Sequence, residues 1–434
     1  MTTIAEVNLW GNTIGAVSLE RDDDIASFQY ESNFIESGIE LSPLKMPLTD
    51  KVSRFPNLDY ESFHGLPGLL ADSLPDKYGN ALIDTWLAKQ GRTPASFNAV
   101  ERLCYTGRRG MGALEYLPGN GPKYTTSNPI HIDEMVELAS EILSQRDDLS
   151  VSFGDETKEQ AMANTLQIGT SAGGARAKAV IAWNPLTNEV RSGQVKSGQG
   201  FEYWIIKFDG VSNNRDKELA DPKGYGAIEY AYSKMANDSG IQMGTCRLFE
   251  ENDRRHFMTQ RFDRLNNGEK LHMQSLGALG HYDYKMSGAN SYEQAFMVIR
   301  KLELTMDETE EQFRRMVFNV IARNQDDHVK NIAFLMDKSG NWSLSPAFDV
   351  TYSFNPSGEW TSNHQMSING QNNNFTLDDF KACAKVASMK RGRAEKIVKE
   401  VLLAVSSWKK YAKDVDVDSM QSAKIQGTLR LNHF

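Results

Sequence analysis

The sequence predicts an α+β fold, and three observations carry that reading. Residues 1 to about 30 alternate apolar and polar side chains around turn residues, as half-buried strands do. The middle of the chain mixes an amphipathic helical pattern with two short apolar runs of strand length. Beyond about residue 265 the apolar spacing becomes helical. With 434 residues and 40% apolar side chains, the chain has room for two or three cores, at about 100–200 residues per domain.

Taken in order, Val7-Asn8-Leu9-Trp10 and Ile14 to Leu19 read as two strands joined through Gly11-Asn12, a hairpin start. Leu66 to Asp76 is rich in turn and capping residues and leads into the helical spacing of Ala81, Leu82, Trp86 and Leu87. Ala113 to Leu117 is strand-like. Pro118-Gly119-Asn120-Gly121-Pro122 follows as a linker and sets a domain boundary. Ile132, Met135, Val136, Ala139, Ile142 and Leu143 share one helical face, and Ala179 to Trp183 and Tyr203 to Phe208 read as strands. Helix starts are marked at Ser291-Tyr292-Glu293-Gln294, a capping box, and at Thr376. Asn369 to Asn374 reads as a surface loop. The resulting division is 1–120, 123–264 and 265–434.

Composition narrows the function. A net charge of −9 argues against unaided tight binding to nucleic acid, whose affinity comes mainly from cations neutralising phosphates. One local exception is the run Lys381, Lys385, Lys390, Arg391, Arg393, Lys396 and Lys399; such a run is ordinarily a solvated helix face, or touches DNA as part of a larger complex. The scattered cysteines Cys104, Cys246 and Cys383 lack metal-type spacing and suit a reducing compartment. The N-terminus has no basic stretch before an apolar run, and no window approaches the roughly 18 apolar residues of a membrane span, so a cytoplasmic protein without membrane contact is expected.

Chemistry concentrates in Asn324-Gln325-Asp326-Asp327-His328-Val329-Lys330-Asn331, followed eighteen residues after Asn331 by Asp349. Phosphoryl transfer requires a carboxylate at the attacking hydroxyl, with an amide and a second carboxylate holding Mg²⁺ under the phosphates. Asp326, Asn331 and Asp349 suit those roles, and the five-residue step from Asp326 to Asn331 matches that of the kinase catalytic loop. Asp327 is the rival carboxylate; the spacing favours Asp326. Ile332 to Met336 and Trp342 to Leu344 predict a hairpin that returns Asp349 beside Asn331, and Phe313, Met316, Val317, Val320 and Ile321 predict a buried helix supporting the turn.

Upstream, Ser171-Ala172-Gly173-Gly174-Ala175-Arg176 offers small residues whose amides can converge on an anion, although it matches neither Gly-rich nucleotide fingerprint. The same stretch contains a literal G-x-S-x-G around Ser171, which keeps a serine hydrolase with His328 as base open, despite an unsuitable strand and helix context. Lys207 stands inside the apolar strand Trp204 to Phe208 and needs an anionic partner. A kinase supplies phosphates and a bracing glutamate, for which Glu229 is the candidate.

Together with Leu66-Pro67 to Asp76, Gln260-Arg261-Phe262-Asp263-Arg264 and Phe348-Asp349, these residues resemble the HipA-type serine/threonine kinases, toxin halves of bacterial toxin–antitoxin pairs, over nearly the whole chain. The resemblance implies a bilobal protein-kinase-like fold, with a mixed α/β N-lobe over 123–264, a mainly helical C-lobe over 265–434 and an accessory subdomain over 1–120. It implies ATP and Mg²⁺ as cofactors and a small DNA-binding, HipB-like antitoxin as partner. Operator DNA would be reached through that complex, with Lys390, Arg391 and Arg393 as candidate contacts. It makes Asp326 catalytic and Asn331 and Asp349 the metal ligands. ATP contacts would come from Ser171 to Arg176, Lys207, Gln260 to Phe262, whose backbone meets adenine, His328, Lys330 and Asn331. Ser171 would be the site of self-inactivating phosphorylation, since added negative charge repels nucleotide phosphates. The sequence departs from eukaryotic kinases in lacking H-R-D and in carrying Asp349-Val350-Thr351 in place of D-F-G. A small-molecule kinase and an inactive nucleotide-binding repressor component remain alternatives, and the protein substrate is expected in the translation machinery.

Overall fold

The computed structural model describes residues 2–121, 129–144, 176–194, 198–211, 223–265 and 268–434. They form two compact units, the first from residues 1–223 and 249–273, the second from 224–248 and 274–434. The helix carrying Glu229 therefore belongs with the later part of the chain, ahead of the strands that complete the first unit.

The first unit opens on the antiparallel strands β1 (Thr3–Leu9), β2 (Asn12–Leu19), β3 (Ser27–Tyr30) and β4 (Leu114–Leu117), ordered β3-β2-β1-β4. Leu9 pairs with Asn12, so the hairpin turn is Trp10-Gly11, one residue earlier than the sequence suggests. Both turn residues take positive φ, 51° and 86°, as a tight hairpin turn of matching twist requires. Trp10 tolerates this uncommon conformation while its indole N–H donates to the Lys270 carbonyl at 2.7 Å.

The second sheet is built from β5 (Lys178–Trp183), β6 (Val190–Ser192), β7 (Glu202–Lys207), β8 (Cys246–Glu251) and β9 (Arg254–Gln260), ordered β6-β5-β7-β9-β8. Strand β5 is buried along its whole length, which explains its unbroken apolar run. Against this sheet pack α1 (Lys77–Lys89) and α3 (Ile132–Ser144), with α2 (Ala99–Thr106) between them in sequence. Leu82, Leu87, Met135, Val136, Ile181, Trp204, Ile206 and Met258 share one core. Asp76 caps α1 through the Gly79 amide at 2.7 Å, and its other oxygen lies 3.6 Å from the ammonium of buried Lys178. That contact ties the Leu66 to Asp76 segment to the sheet.

After β9 the chain turns inward. Arg261 donates twice to the Asp263 carboxylate, at 2.9 and 2.7 Å, and Arg264 donates to it at 2.7 Å. Asp263 also accepts from the Gly112 amide at 2.7 Å. Gly112 takes φ +73°, and a Cβ there would stand 2.9 Å from the Met273 nitrogen, so only glycine fits this approach. Burial alone would raise the Asp263 pKa; the two guanidinium charges and these hydrogen bonds overcome that and hold it well below the carboxylate range.

The second unit is mainly helical: α4 (Tyr225–Asp238), α5 (Tyr292–Lys301), α6 (Met306–Ile321), α7 (Leu377–Val386), α8 (Arg393–Ser406), α9 (Trp408–Asp414) and α10 (Ser419–Thr428). Capping boxes start α5 at Ser291 and α7 at Thr376, as the sequence predicts, and a third starts α6 at Thr305. Helix α6 buries Phe313, Met316, Val317, Val320 and Ile321. Strands β10 (His272–Ser275), β12 (Ala333–Met336) and β13 (Trp342–Leu344) form a small sheet, and Phe334 pairs with Leu344 as the predicted hairpin demands. A parallel bridge joins β11 (Asn290–Ser291) to β14 (Met366–Ser367).

Removing Asp263 leaves two buried guanidiniums without their counter-charge. Asp263→Ala is expected to cost on the order of 3–5 kcal/mol in urea unfolding. Because the folded pKa is depressed, the stabilisation contributed by Asp263 is present above the unfolded carboxylate pKa and is lost as pH falls through the folded one. The wild-type and Asp263→Ala stabilities should therefore converge in strong acid.

Candidate active site

The site grows from the end of α6. Arg323 follows its last turn with φ 59°, a left-handed step that ends the helix and leads the chain into residues 324–328. Asn324 fastens the turn to Asn319 through its amide and its side chain, both at 2.9 Å. Val329–Asn331 forms one 3₁₀ turn, started by His328, whose Nδ1 accepts from the Lys330 amide at 3.3 Å. Asn331 then donates its side-chain N–H to the Asp326 carbonyl at 2.8 Å. The five-residue spacing thus closes a loop whose ends are hydrogen-bonded.

The adjacent carboxylates have opposite surroundings. Asp327 is 1% exposed, and its oxygens accept from the Tyr292 hydroxyl at 2.7 Å, His364 Nδ1 at 2.9 Å and the Gln365 amide at 2.8 Å. Burial opposes ionisation there, but the His364 charge and these donors win and lower its pKa. Asp326 is 32% exposed; its Oδ1 accepts from the Trp360 indole at 2.6 Å, with His328 Nε2 at 3.8 Å, and its Oδ2 accepts nothing from the described residues. Burial raises the Asp326 pKa, and the charges of Asp349 and Asp327 add to that against the pull of His328 and Trp360. One acid is therefore locked in place, and its neighbour presents an open acceptor.

Asp349 reaches this cluster from the far side of the β12–β13 hairpin. Its φ of 55° is a left-handed conformation that costs energy in a non-glycine residue and is often held at functional sites. Aromatic rings enclose the rest. The His328 ring lies 5.8 Å from Tyr284 and 6.3 Å from Trp360, and the Lys330 ammonium sits 4.4 Å over Tyr284. An Asn331 amide and an Asp349 carboxylate are oxygen donors of the kind Mg²⁺ takes, and that ion needs few protein ligands when phosphates supply the others. Among the described residues no group of three or more His, Cys, Asp or Glu could hold a metal ion.

The structure thus gathers Asp326, His328, Lys330, Asn331 and Asp349 within the second unit. Lys207 and Gln260 lie on neighbouring strands of the first, where Trp204 pairs with Gln260 and Lys207 with Phe257. The Lys207 ammonium is 5.7 Å from the centre of the Phe257 ring. Opposite Lys207 on the other side stands Lys178, whose charge is met by Asp76. Arg176 lies just before β5, whereas Ser171, Ala172, Gly173, Gly174 and Ala175 fall outside the described residues. The Arg261 amide donates to the Tyr203 carbonyl at 2.9 Å and its guanidinium to Asp263, so neither donor faces a nucleotide; Phe262 follows directly. Glu229 is 1% exposed on α4.

Of the basic run, Arg393 is half-buried and paired with Glu310 at 2.7 Å, whereas Lys390 and Arg391 are exposed. Sequence reasoning missed Trp360, Tyr284, Tyr292 and His364. Only the indole of Trp360, in a polar loop and needing an acceptor, offered a signal. No described helix is long and apolar enough to cross a membrane.

A five-stranded antiparallel sheet in one unit, with a mainly helical second unit carrying the aspartate–asparagine loop and a metal-type aspartate, defines a protein-kinase-like α+β fold. The HipA of the Shewanella oneidensis MR-1 toxin–antitoxin system, solved with HipB and operator DNA, has a similar fold: TM-score 0.67 at 16% identity, over 98% of this chain and 96% of that one. Residues 170–408 match the HipA-like C-terminal domain and residues 5–117 the HipA N-terminal domain; the chain belongs to the HipA family. A Haemophilus influenzae protein provisionally described as a kinase is 32% identical over 101 residues, a match that spans 21% of this chain and 29% of that protein.

The two acids should respond oppositely to substitution. Asp327→Ala leaves a buried hydroxyl, imidazole and amide without their acceptor and should destabilise the fold by about 3–5 kcal/mol. Asp326→Asn keeps an acceptor for Trp360 and removes a carboxylate whose folded pKa is raised. Such a group loses stability for the native state as pH rises through its folded pKa. The variant should melt at or above the wild-type temperature at pH 7, with the difference narrowing towards the carboxylate range.

Proposed function

We propose that this protein is an ATP- and Mg²⁺-dependent serine/threonine protein kinase, the growth-arresting toxin of a bacterial toxin–antitoxin pair, working in the cytoplasm. The observation that carries the reading is the aspartate pair: Asp327 saturated and buried, Asp326 fixed by Trp360 through one oxygen and open at the other. A substrate hydroxyl placed at Asp326 Oδ2 would donate its hydrogen there, which orients the oxygen lone pair for in-line attack and gives the proton a place to go. The raised pKa of Asp326 makes it a better proton acceptor than an ordinary carboxylate. Asn331, tied to the Asp326 carbonyl, and Asp349 would hold Mg²⁺, which supplies charge neutralisation at the phosphates. Lys207, braced by Glu229, would hold the α- and β-phosphates. The segment Gln260 to Phe262 would meet adenine, with the Arg261 donors spent elsewhere. His328 and Lys330 would complete the nucleotide contacts, with the Ser171 to Arg176 loop over the phosphates and Ser171 as the self-inactivating phosphorylation site.

In the Shewanella complex HipA is found with HipB and operator DNA. By that likeness, this chain would pair with a HipB-like antitoxin and reach operator DNA through it. A protein of the translation machinery would be its substrate.

Incubation with γ-labelled ATP, Mg²⁺ and cell extract is the direct test. Wild type should label itself and a small number of proteins, and Asp326→Asn should lose labelling by about 10²-fold or more while still binding ATP. Retained labelling in Asp326→Asn would sink the assignment of the base. Expressed without an antitoxin, the wild type should arrest bacterial growth and Lys207→Ala should relieve the arrest; arrest that persists in that variant would separate toxicity from phosphoryl transfer.

DNA contact has its own measurement. Each phosphate contact adds about 0.9 to the slope of log affinity against log salt, so Lys390→Ala/Arg391→Ala should flatten the slope of an antitoxin complex by roughly two units. An unchanged slope assigns all DNA contact to the antitoxin.

A further inference from the structure

The second unit carries a pocket of about 400 Å³, open to solvent on one side, that the kinase reading does not use. Its walls carry two guanidiniums, Arg323 and Arg430, together with Phe354, Phe375, Asn363 and Asn373, and its rim carries Ser362, Asn374 and His433. Among the described residues no carboxylate lines it. Arg430 is 3% exposed; Nη2 donates to Asn373 Oδ1 at 2.5 Å, and Nη1 is buried without a hydrogen-bond partner among the described residues. Arg323 donates to the Thr428 carbonyl at 2.8 Å and to Gln325 at 3.0 Å, and forms no ion pair among the described residues. The Asp327 charge acts on Arg430, but its oxygens are already taken by Tyr292, His364 and the Gln365 amide.

Two desolvated guanidiniums near one another repel, and an unmet buried N–H is costly. A ligand that repays both penalties must be anionic, with several acceptor oxygens. A phosphate dianion does this best, because one group can face two guanidinium forks. The remaining volume lies against Phe354 and Phe375, which Arg323 and Arg430 cover at 4.3 and 5.5 Å, and it lies within the range of small-molecule sites. An organic group attached to the phosphate would fill it. We propose that this cavity binds a small phosphate monoester, with Arg323 and Arg430 on the phosphoryl oxygens and the asparagine amides around them. The site is separate from the nucleotide contacts assigned above and does not depend on them.

The experiment is calorimetric titration of the full chain at fixed ionic strength with phenyl phosphate, inorganic phosphate and phenol. Phenyl phosphate should bind saturably and more tightly than inorganic phosphate, with phenol inert. Arg323→Asn, which suits the left-handed backbone at that position, and Arg430→Gln should each weaken binding about tenfold or more, the loss of one charge-assisted contact. Should Arg430→Gln fail to fold, Asn374→Asp keeps the buried arginine and adds a like charge at the exposed rim, with the same expected direction. Lys207→Ala should leave the titration unchanged. Absence of saturable binding, binding of inorganic phosphate without the monoester, equal affinity in wild type and all three pocket variants, or loss in Lys207→Ala alone would overturn the proposal.

Discussion

The buried carboxylate of Asp327 is the constraint on which the Asp326–Asn331 loop and its surroundings depend. Three donors from two distant parts of the chain converge on it: the Tyr292 hydroxyl at the start of α5, and the adjacent His364 and Gln365 amide just before β14. Each is buried, and each would carry an unmet polar group without that acceptor. Because Asp327 is next to Asp326 in sequence, fixing one carboxylate fixes the backbone of the other. The same network orders residues 360–365, and Trp360 in that stretch orients the open acid.

A second consequence is electrostatic. Asp327 absorbs the available donors, so Asp326 is left with one indole and a distant imidazole against the charges of Asp349 and Asp327. The fold thus disfavours the ionised form of one acid and holds Asp349 in a left-handed backbone. Strain of this kind persists only where surrounding packing over-determines it. Here the packing comes from the buried face of α6 on one side and the β12–β13 hairpin on the other.

The first unit solves a parallel problem with opposite charges. Asp263 gathers Arg261, Arg264 and the Gly112 amide, and Asp76 meets Lys178 in the core beside the sheet. Both acids tie the amino-terminal 120 residues to the strands that carry Lys207. The accessory segment is therefore part of the same compact unit as the five-stranded sheet.

Much of this was legible in the sequence because it is local. The step from Asp326 to Asn331 is one closed loop, the β12–β13 hairpin follows from alternation and a turn, and the helix starts at Ser291 and Thr376 are four-residue patterns. The hairpin turn moved by one residue, to Trp10-Gly11, because register across β1 and β2 is set by pairing along the whole strand. What the sequence could not decide is which of two adjacent aspartates is locked and which is open, since that depends on Tyr292, Trp360 and His364, each more than thirty residues away along the chain. Nor could it show that Arg323 and Arg430 line one cavity. Spacing records what neighbours along the chain can do, whereas burial, shared acceptors and uncompensated charge are properties of residues brought together from a distance, and only the tertiary structure decides them.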